Sequence, residues 1–261
     1  MGLKKAKILR LALFAKTDIG KERLINEDSV AATTIKSHSF RNDLNCGILV
    51  VADGMGGHKS GEIASEIASK SLINEVTQRI IQSSVSKENI NYREILIESI
   101  EVANQNVIKL SESIADTIGT TIVAAIIIDN RIYIANVGDS RAYLVTPKKT
   151  MTQLTKDHSA VQEMLNAKII TKEQAINHPK RNLLTKALGL AKQANPDIFE
   201  ADLKNKVLLL CSDGLYNMVD EKEILNAIAK KIYDSAETLI SLANKNGGSD
   251  NISVALAKYQ D

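Results

Sequence analysis

Three apolar runs in this sequence each carry an aspartate at one end. ILVVA (48–52) runs into Asp53-Gly54, VLLLCS (207–212) runs into Asp213-Gly214, and Asp250 stands just before ISVALA. One Asp-Gly pair after a strand is ordinary hairpin chemistry. Three such acids, with Glu27 and Asp28 on an early polar loop, make an all-oxygen donor set. Carboxylates gathered at one place cannot all stay ionised unless something positive sits among them. No excess of Lys or Arg lies near them in sequence, so a hard divalent cation is the economical partner. Oxygen donors suit Mg2+ or Mn2+ and not zinc. Gly54 has no side chain, which lets its carbonyl turn towards a metal. Two such ions about 3.5–4 Å apart can share a hydroxide and polarise a phosphoryl group. Arg23, four residues before Glu27, could hold that phosphate by bidentate hydrogen bonds; taken alone it reads first as a surface arginine.

The elements that must carry these acids follow from hydrophobic period. Residues 8–15, 29–35 and 47–52 read as strands, with 17–28 as a polar loop. From Glu62 to about Ile81, Ala64, Ala68, Leu72, Val76 and Ile80 recur every fourth position, one face of a helix. A second helix follows near 92–113, with Leu96, Ile100, Ala103, Val107 and Leu110 on its apolar face, and two such helices in succession predict an antiparallel pair on a sheet. The period then changes to that of strands at 119–128, 131–137 and 141–145, which read together as a meander with a turn at Asp129-Asn130. Residues 158–188 are polar and contain Pro179; they read as a mobile excursion outside the core. Strands return at 197–202 and 206–211. Two short helices follow, turning Leu225, Ile228, Ile232 and Leu239, Ile240, Ala243 inward, before a last strand at 252–259. Strands and helices come in runs, which predicts α+β architecture. No linker is long enough to divide the chain, so residues 1–261 are expected to form one domain with a flap at about 158–188.

Bulk composition narrows the class. At 261 residues with 44% hydrophobic content, the chain can bury a large aliphatic core, and aromatics are only 3%. A net charge of +2 and scattered basic residues argue against nucleic acid. Cys46 and Cys211 are too few for a disulfide framework and fit a reduced, cytoplasmic compartment. Arg10 interrupts the short apolar run near the N-terminus, which reads as a basic tail leading into a strand, not a signal peptide. Gly2 suggests a myristoylation motif, but Ala6 stands where Ser or Thr is needed. No run approaches a membrane span.

Two other phosphate chemistries fail on particular residues. A cysteine nucleophile would need an arginine six residues on, but Ala52 follows Cys46 and Asn217 follows Cys211 at that distance. GMGGHKSG approaches a P-loop, but His58 stands where glycine is required before Lys59-Ser60.

The ordered blocks RLINED (23–28), DGMGGHKSGEIAS (53–65), GTTIVAA (119–125), NVGDSRAYL (136–144), LTKDHS (154–159), SDGLYNMV (212–219) and GGSDNISVAL (247–256) resemble the metal-dependent serine/threonine protein phosphatases of type 2C, in particular their single-domain bacterial members. The resemblance implies a four-layer α/β/β/α sandwich, two antiparallel sheets flanked by helix pairs. It implies hydrolysis of phosphoserine and phosphothreonine in proteins by a metal-bridging water or hydroxide, without a phosphoenzyme. By position, Asp53 bridges two tightly bound Mn2+ or Mg2+ ions and Gly54 offers its carbonyl. Asp213 and Asp250 hold one ion, and Glu27 and Asp28 support the other. Arg23 binds phosphate. Asp139, which by its own sequence is a turn residue between two strands, falls where a third, weaker metal is held together with Asp213. The family's eukaryotic members often place His directly after the Asp-Gly pair as a proposed general acid. Met55 stands there in this chain, and His58 or a metal-bound water is left to protonate the leaving group. A relative that kept the fold and lost its metals is countered by the presence of Asp53, Asp139, Asp213 and Asp250. The expected partners are phosphorylated proteins and a cognate Ser/Thr kinase, with no nucleic acid and no membrane, and the expected state is a monomer.

Overall fold

The protein is described by a computed structural model over residues 10–38, 43–55, 60–86, 90–176 and 178–260. The basic tail, the two glycines at 56 and 57, and His58 lie outside the described residues. The strands are β1 (Arg10–Asp18), β2 (Asp28–His38), β3 (Asp43–Met55), β4 (Gly119–Thr120), β5 (Ile122–Ile128), β6 (Arg131–Val137), β7 (Arg141–Val145), β8 (Met151–Gln153), β9 (Asp197–Asp202), β10 (Val207–Cys211) and β11 (Ile252–Gln260). The helices are α1 (Gly61–Ser86), α2 (Tyr92–Ile114), α3 (Ala160–Asn166), α4 (Lys172–Ile176), α5 (Asp213–Tyr216), α6 (Glu221–Ala227) and α7 (Ile232–Lys245).

The strands form two antiparallel sheets, one ordered β1-β11-β10-β7-β8 and the other β2-β3-β5-β6-β9, with β4 paired to β3. The run at 48–52 is apolar without interruption because both faces of β3 are covered. Ile48 and Val50 pack with Leu72, Val76, Leu96 and Ile100 of α1 and α2. Leu49 and Val51 face the other way and meet Leu208, Leu210, Ala255 and Ala257 of the second sheet. That sheet's outer face packs under α6 and α7 through Leu209, Val254, Ile224, Leu239 and Ala243. The layers are therefore helices, sheet, sheet, helices, the α/β/β/α sandwich that the resemblance implies. On α6 the inward residues are Ile224 and Ala227, and Leu225 and Ile228 are only partly covered.

Two expectations change in a way that matters for the site. The meander ends at Val137: β5 and β6 pair in one sheet, but β7 pairs with β10 in the other. The chain crosses between sheets at residues 138–140, and Asp139 lies at the crossing. Gly138 takes φ +108°, and a Cβ there would stand 2.6 Å from Thr121 Cβ, so the crossing needs glycine. The 158–188 excursion is narrower than its polarity suggested. His158, Ser159, Ala187 and Leu188 are buried, and Leu188 exchanges backbone hydrogen bonds with Thr120. The flap proper leaves the body after Ser159 and returns before Leu184, where those two residues form an isolated bridge. Its helix α3 has no buried residue.

Candidate active site

Asp53 is fixed by its backbone. Its N–H donates to Thr121 Oγ1 at 3.0 Å, and its carbonyl accepts from Thr121 N–H at 2.9 Å and Thr120 Oγ1 at 3.0 Å. Thr121 Oγ1 also lies 2.7 Å from Ser140 Oγ, so one threonine ties Asp53 to the crossing that carries Asp139. Asp28 faces Asp53 across the β2–β3 ladder. Its Oδ2 accepts from Ser212 Oγ at 2.7 Å. Ser212 precedes Asp213, the first residue of α5, and its Oγ also accepts from Ser253 N–H. The carbonyl of Asp139 accepts from the Tyr216 hydroxyl at 3.1 Å. Arg141 lies over that tyrosine ring, its guanidinium carbon 3.6 Å from the centroid, and forks onto Asp157.

The loop before β2 is drawn in by Asn251. Its Nδ2 donates to the carbonyls of Ile19 and Ile25 at 2.9 and 3.0 Å, and its Oδ1 accepts from Glu27 N–H at 2.8 Å. Arg23 is thereby brought against Asp250, with Nη2 to Oδ2 at 2.7 Å. Gly54 N–H donates to the Glu27 carbonyl at 3.0 Å, and a Cβ on Gly54 would stand 2.1 Å from the Gly61 carbonyl oxygen. Only glycine fits there, because α1 begins directly against it.

Arg23, Glu27, Asp53, Gly54, Asp139, Asp213 and Asp250 line one cleft of about 430 Å3 between the sheets, with Leu183, Leu184 and Leu190 on the flap side. Asp28 lies behind them, buried against its serines. All eight sequence-identified residues are thus at one place. Among the described residues no three Asp, Glu, His or Cys side chains form a ready metal cage. The acids are instead held by neighbours: Asp250 by Arg23, Asp28 by Ser212, and Asp213 by a hydrogen bond with Asp53.

Their electrostatics show what such a set demands. Burial raises Asp53 well above the carboxylate range, and the facing charges of Asp28, Asp213 and Asp139 push it further. Burial, then neighbouring acids, likewise raises Asp28 and Asp139 to about 7 and Asp213 to about 6. Burial also raises Glu27, against the attraction of Arg23. One oxygen of Glu62, in the first turn of α1, is buried without a hydrogen-bond partner. Desolvated, mutually repelling carboxylates with an orphaned oxygen beside them fit a hard divalent cation.

Several residues that build the site carried no chemical signal of their own in the sequence. Thr121, Ser212, Tyr216 and Asn251 sit inside the resembling blocks, but each acts through hydrogen bonds to residues distant in sequence. His158 belongs with them. Its Nδ1 accepts from Gly138 N–H at 3.1 Å, and its backbone N–H donates to the Gly138 carbonyl at 2.9 Å. Burial lowers its pKa, which suits a neutral ring with Nδ1 as acceptor.

A cleft with a carboxylate floor and a forked arginine at its edge can hold divalent cations below a phosphate ester. That is the class of the metal-dependent phosphomonoester hydrolases. The family model described as protein phosphatase 2C matches residues 21–256. The serine/threonine phosphatase stp of Listeria welshimeri is 40% identical over 248 residues, covering 93% of this chain and 94% of the relative. The Mycobacterium tuberculosis serine/threonine phosphatase PstP/Ppp superposes with a TM-score of 0.81 at 31% identity, over 97% of this chain and 100% of that one. The catalytic domain of PstP solved in complex with two manganese ions superposes at 0.76 with 32% identity, over 97% and 100%. The chain belongs to the protein phosphatase 2C family and is a metal-dependent serine/threonine protein phosphatase.

Proposed function

We propose that Asp53 is the shared ligand of two divalent ions, Mn2+ or Mg2+, in the cleft. Asp213 and Asp250 complete one site; Glu27, the Gly54 carbonyl and, from behind, Asp28 support the other. Asp139 and Asp213 hold a third, weaker one. The observation that carries this reading is the convergence of Glu27, Asp53, Asp139, Asp213 and Asp250 on one cleft, where burial and mutual repulsion work against their ionisation. When bound, divalent ions lower the pKa of a water and offset charge on phosphoryl oxygens.

The chain's own residues do the rest. Arg23 swings its guanidinium from Asp250 to the phosphate of the substrate, a forked contact that a lysine could not make. A cation held here would let Asp53 be ionised without its bond to Asp213, and Thr120 and Thr121 hold its backbone on the cleft floor. Asn251 keeps the Arg23 loop seated on Asp250. The proton for the leaving alkoxide would come from His58, which lies outside the described residues, or from a metal-bound water.

The substrates are phosphoserine and phosphothreonine in proteins, and the counterpart is a Ser/Thr kinase. No helix among the described residues is long and apolar enough to cross a membrane; a cytoplasmic monomer of one domain is the state that fits the free thiols and the single continuous body. Hydrolysis of a phosphothreonine peptide in Mn2+, in Mg2+ and in chelator tests the reading. Phosphate release with either ion and none with chelator is expected. Release that persists in chelator contradicts it.

A further inference from the structure

The cleft holds more than acids. Three leucines are exposed among the described residues: two line the cleft and the third adjoins Arg23 in the chain. Leu183 and Leu190, each 52% exposed, line the cleft, and Leu24, 95% exposed, directly follows Arg23. Met55 and Leu184 line the cleft as well. Met55 and Leu190 both lie against Gly119, where an added Cβ would stand 2.9 Å from Met55 Cε and 3.5 Å from Leu190 Cδ2. Single exposed aliphatic side chains are common on any protein. Ile63, Ile81, Ile97, Ile114 and Ile169 are exposed elsewhere, none of them lining the cleft; Met55, Leu183, Leu184 and Leu190 together on a polar cleft are a different matter. Arg23 is the one cation among the described lining residues, and its fork is committed to phosphate. Acidic neighbours of a phosphorylated residue therefore find no second cation among the described lining residues, and the carboxylates lie on the floor, whereas aliphatic neighbours find Leu183, Leu184 and Leu190.

We infer that Leu24, Leu183 and Leu190 select phosphorylated segments with large aliphatic residues beside the phosphoresidue. The inference rests on the phosphatase reading above, because a chain whose phosphate sits at Arg23 must run over these side chains on its way out of the cleft. The energy is that of water removed from apolar surface on both partners.

Matched phosphothreonine peptides test it, identical except that the flanking residues are leucine, serine, aspartate or lysine, assayed with the full chain in Mn2+. The leucine-flanked peptide should exceed the serine-flanked one by about tenfold in kcat/KM, the scale that a few buried methylenes command, and mostly through KM. In the Leu24→Ser/Leu190→Ser double variant the ratio should fall to about one. Leu24→Ser alone alters a side chain that packs on nothing, so it keeps the test open if the double variant unfolds; it should at least halve the ratio. Equal rates on all four peptides, or a preference for aspartate or lysine, overturn the inference and leave the phosphatase reading standing. Failure to hydrolyse any of the peptides or p-nitrophenyl phosphate breaks that reading first, and the inference with it. A wild-type dimer that the double variant abolishes in light scattering puts a second copy of the chain on the leucines and also overturns the inference.

Discussion

Asp53 receives or donates three hydrogen bonds through its own backbone and follows the stretch of β3 buried on both faces. The flap beside it is joined to the body at a neck, where Ala160 N–H donates to the Leu183 carbonyl and Thr185 N–H to that of His158. Beyond the neck, α3 buries nothing and Ile169 is 71% exposed. One cleft thus has a floor tied to the core by these hydrogen bonds and a wall beside a flap whose helix buries nothing. Chemistry that depends on charge placement belongs on the first, and contacts that vary with substrate belong on the second.

Changes on the floor should be severe and local. Asp53→Ala should lower turnover by about a thousandfold or more, while a thermal melt shows the fold retained; a folded variant with wild-type rate removes Asp53 from the mechanism. Asp139→Ala should come next. The floor at Asp53 is untouched, so the protein should stay folded while turnover falls about a hundredfold and its dependence on added metal disappears. If Asp139 is only a turn residue, stability drops and the metal dependence of the rate is unchanged. Arg23→Ala should raise KM by about ten- to a hundredfold, since a charged hydrogen bond to phosphate is lost, and metal affinity should not move. A collapse of metal affinity instead makes Arg23 a structural partner of Asp250.

The raised acids give the floor a pH signature that the flap lacks. Asp28, Asp139 and Asp213 titrate at about 7, 7 and 6 in the folded metal-free protein, above their unfolded values. Protonation therefore favours the fold: the contribution is complete below about pH 4 and is lost as pH rises through 6 to 7. With chelator, the melting temperature should rise on going from about pH 8 to about pH 5.5. Metal competes with those protons, so the increase in melting temperature given by Mn2+ should be larger at the higher pH. An equal increase at both values means the ion does not bind at these carboxylates. Smallest of all, Ile169→Ser on the flap should change stability by less than about 0.5 kcal/mol, with hydrolysis of p-nitrophenyl phosphate within about twofold of wild type. A large loss there would show the flap to be part of the catalytic body.

The same contrast explains what could be read from the sequence. The acids at strand ends were legible because a doubly covered strand such as β3 must be apolar throughout, and a charged residue closing it is conspicuous. The helix pair was legible because Ala64, Ala68, Leu72, Val76 and Ile80 all face one sheet, and all are buried. The crossing at Gly138 was not. A strand that continues a meander and one that moves to the opposite sheet have the same alternation, and only Thr121 against Gly138 shows which occurs. Asn251 and Ser212 were silent for a related reason: their bonds reach back 226 and 184 residues, and nothing local requires them. The flap's limits were misjudged because Leu188 owes its burial to Thr120, a partner distant in sequence.

The claim on which the rest depends is that the carboxylates around Asp53 hold the metal that the reaction uses. Calorimetric titration of Mn2+ into the wild-type protein and into Asp53→Ala, at a pH where the acids are ionised, tests it directly. Saturable tight binding by the wild type and its loss in the variant is the result expected. An unchanged isotherm in Asp53→Ala places the ion elsewhere and contradicts it.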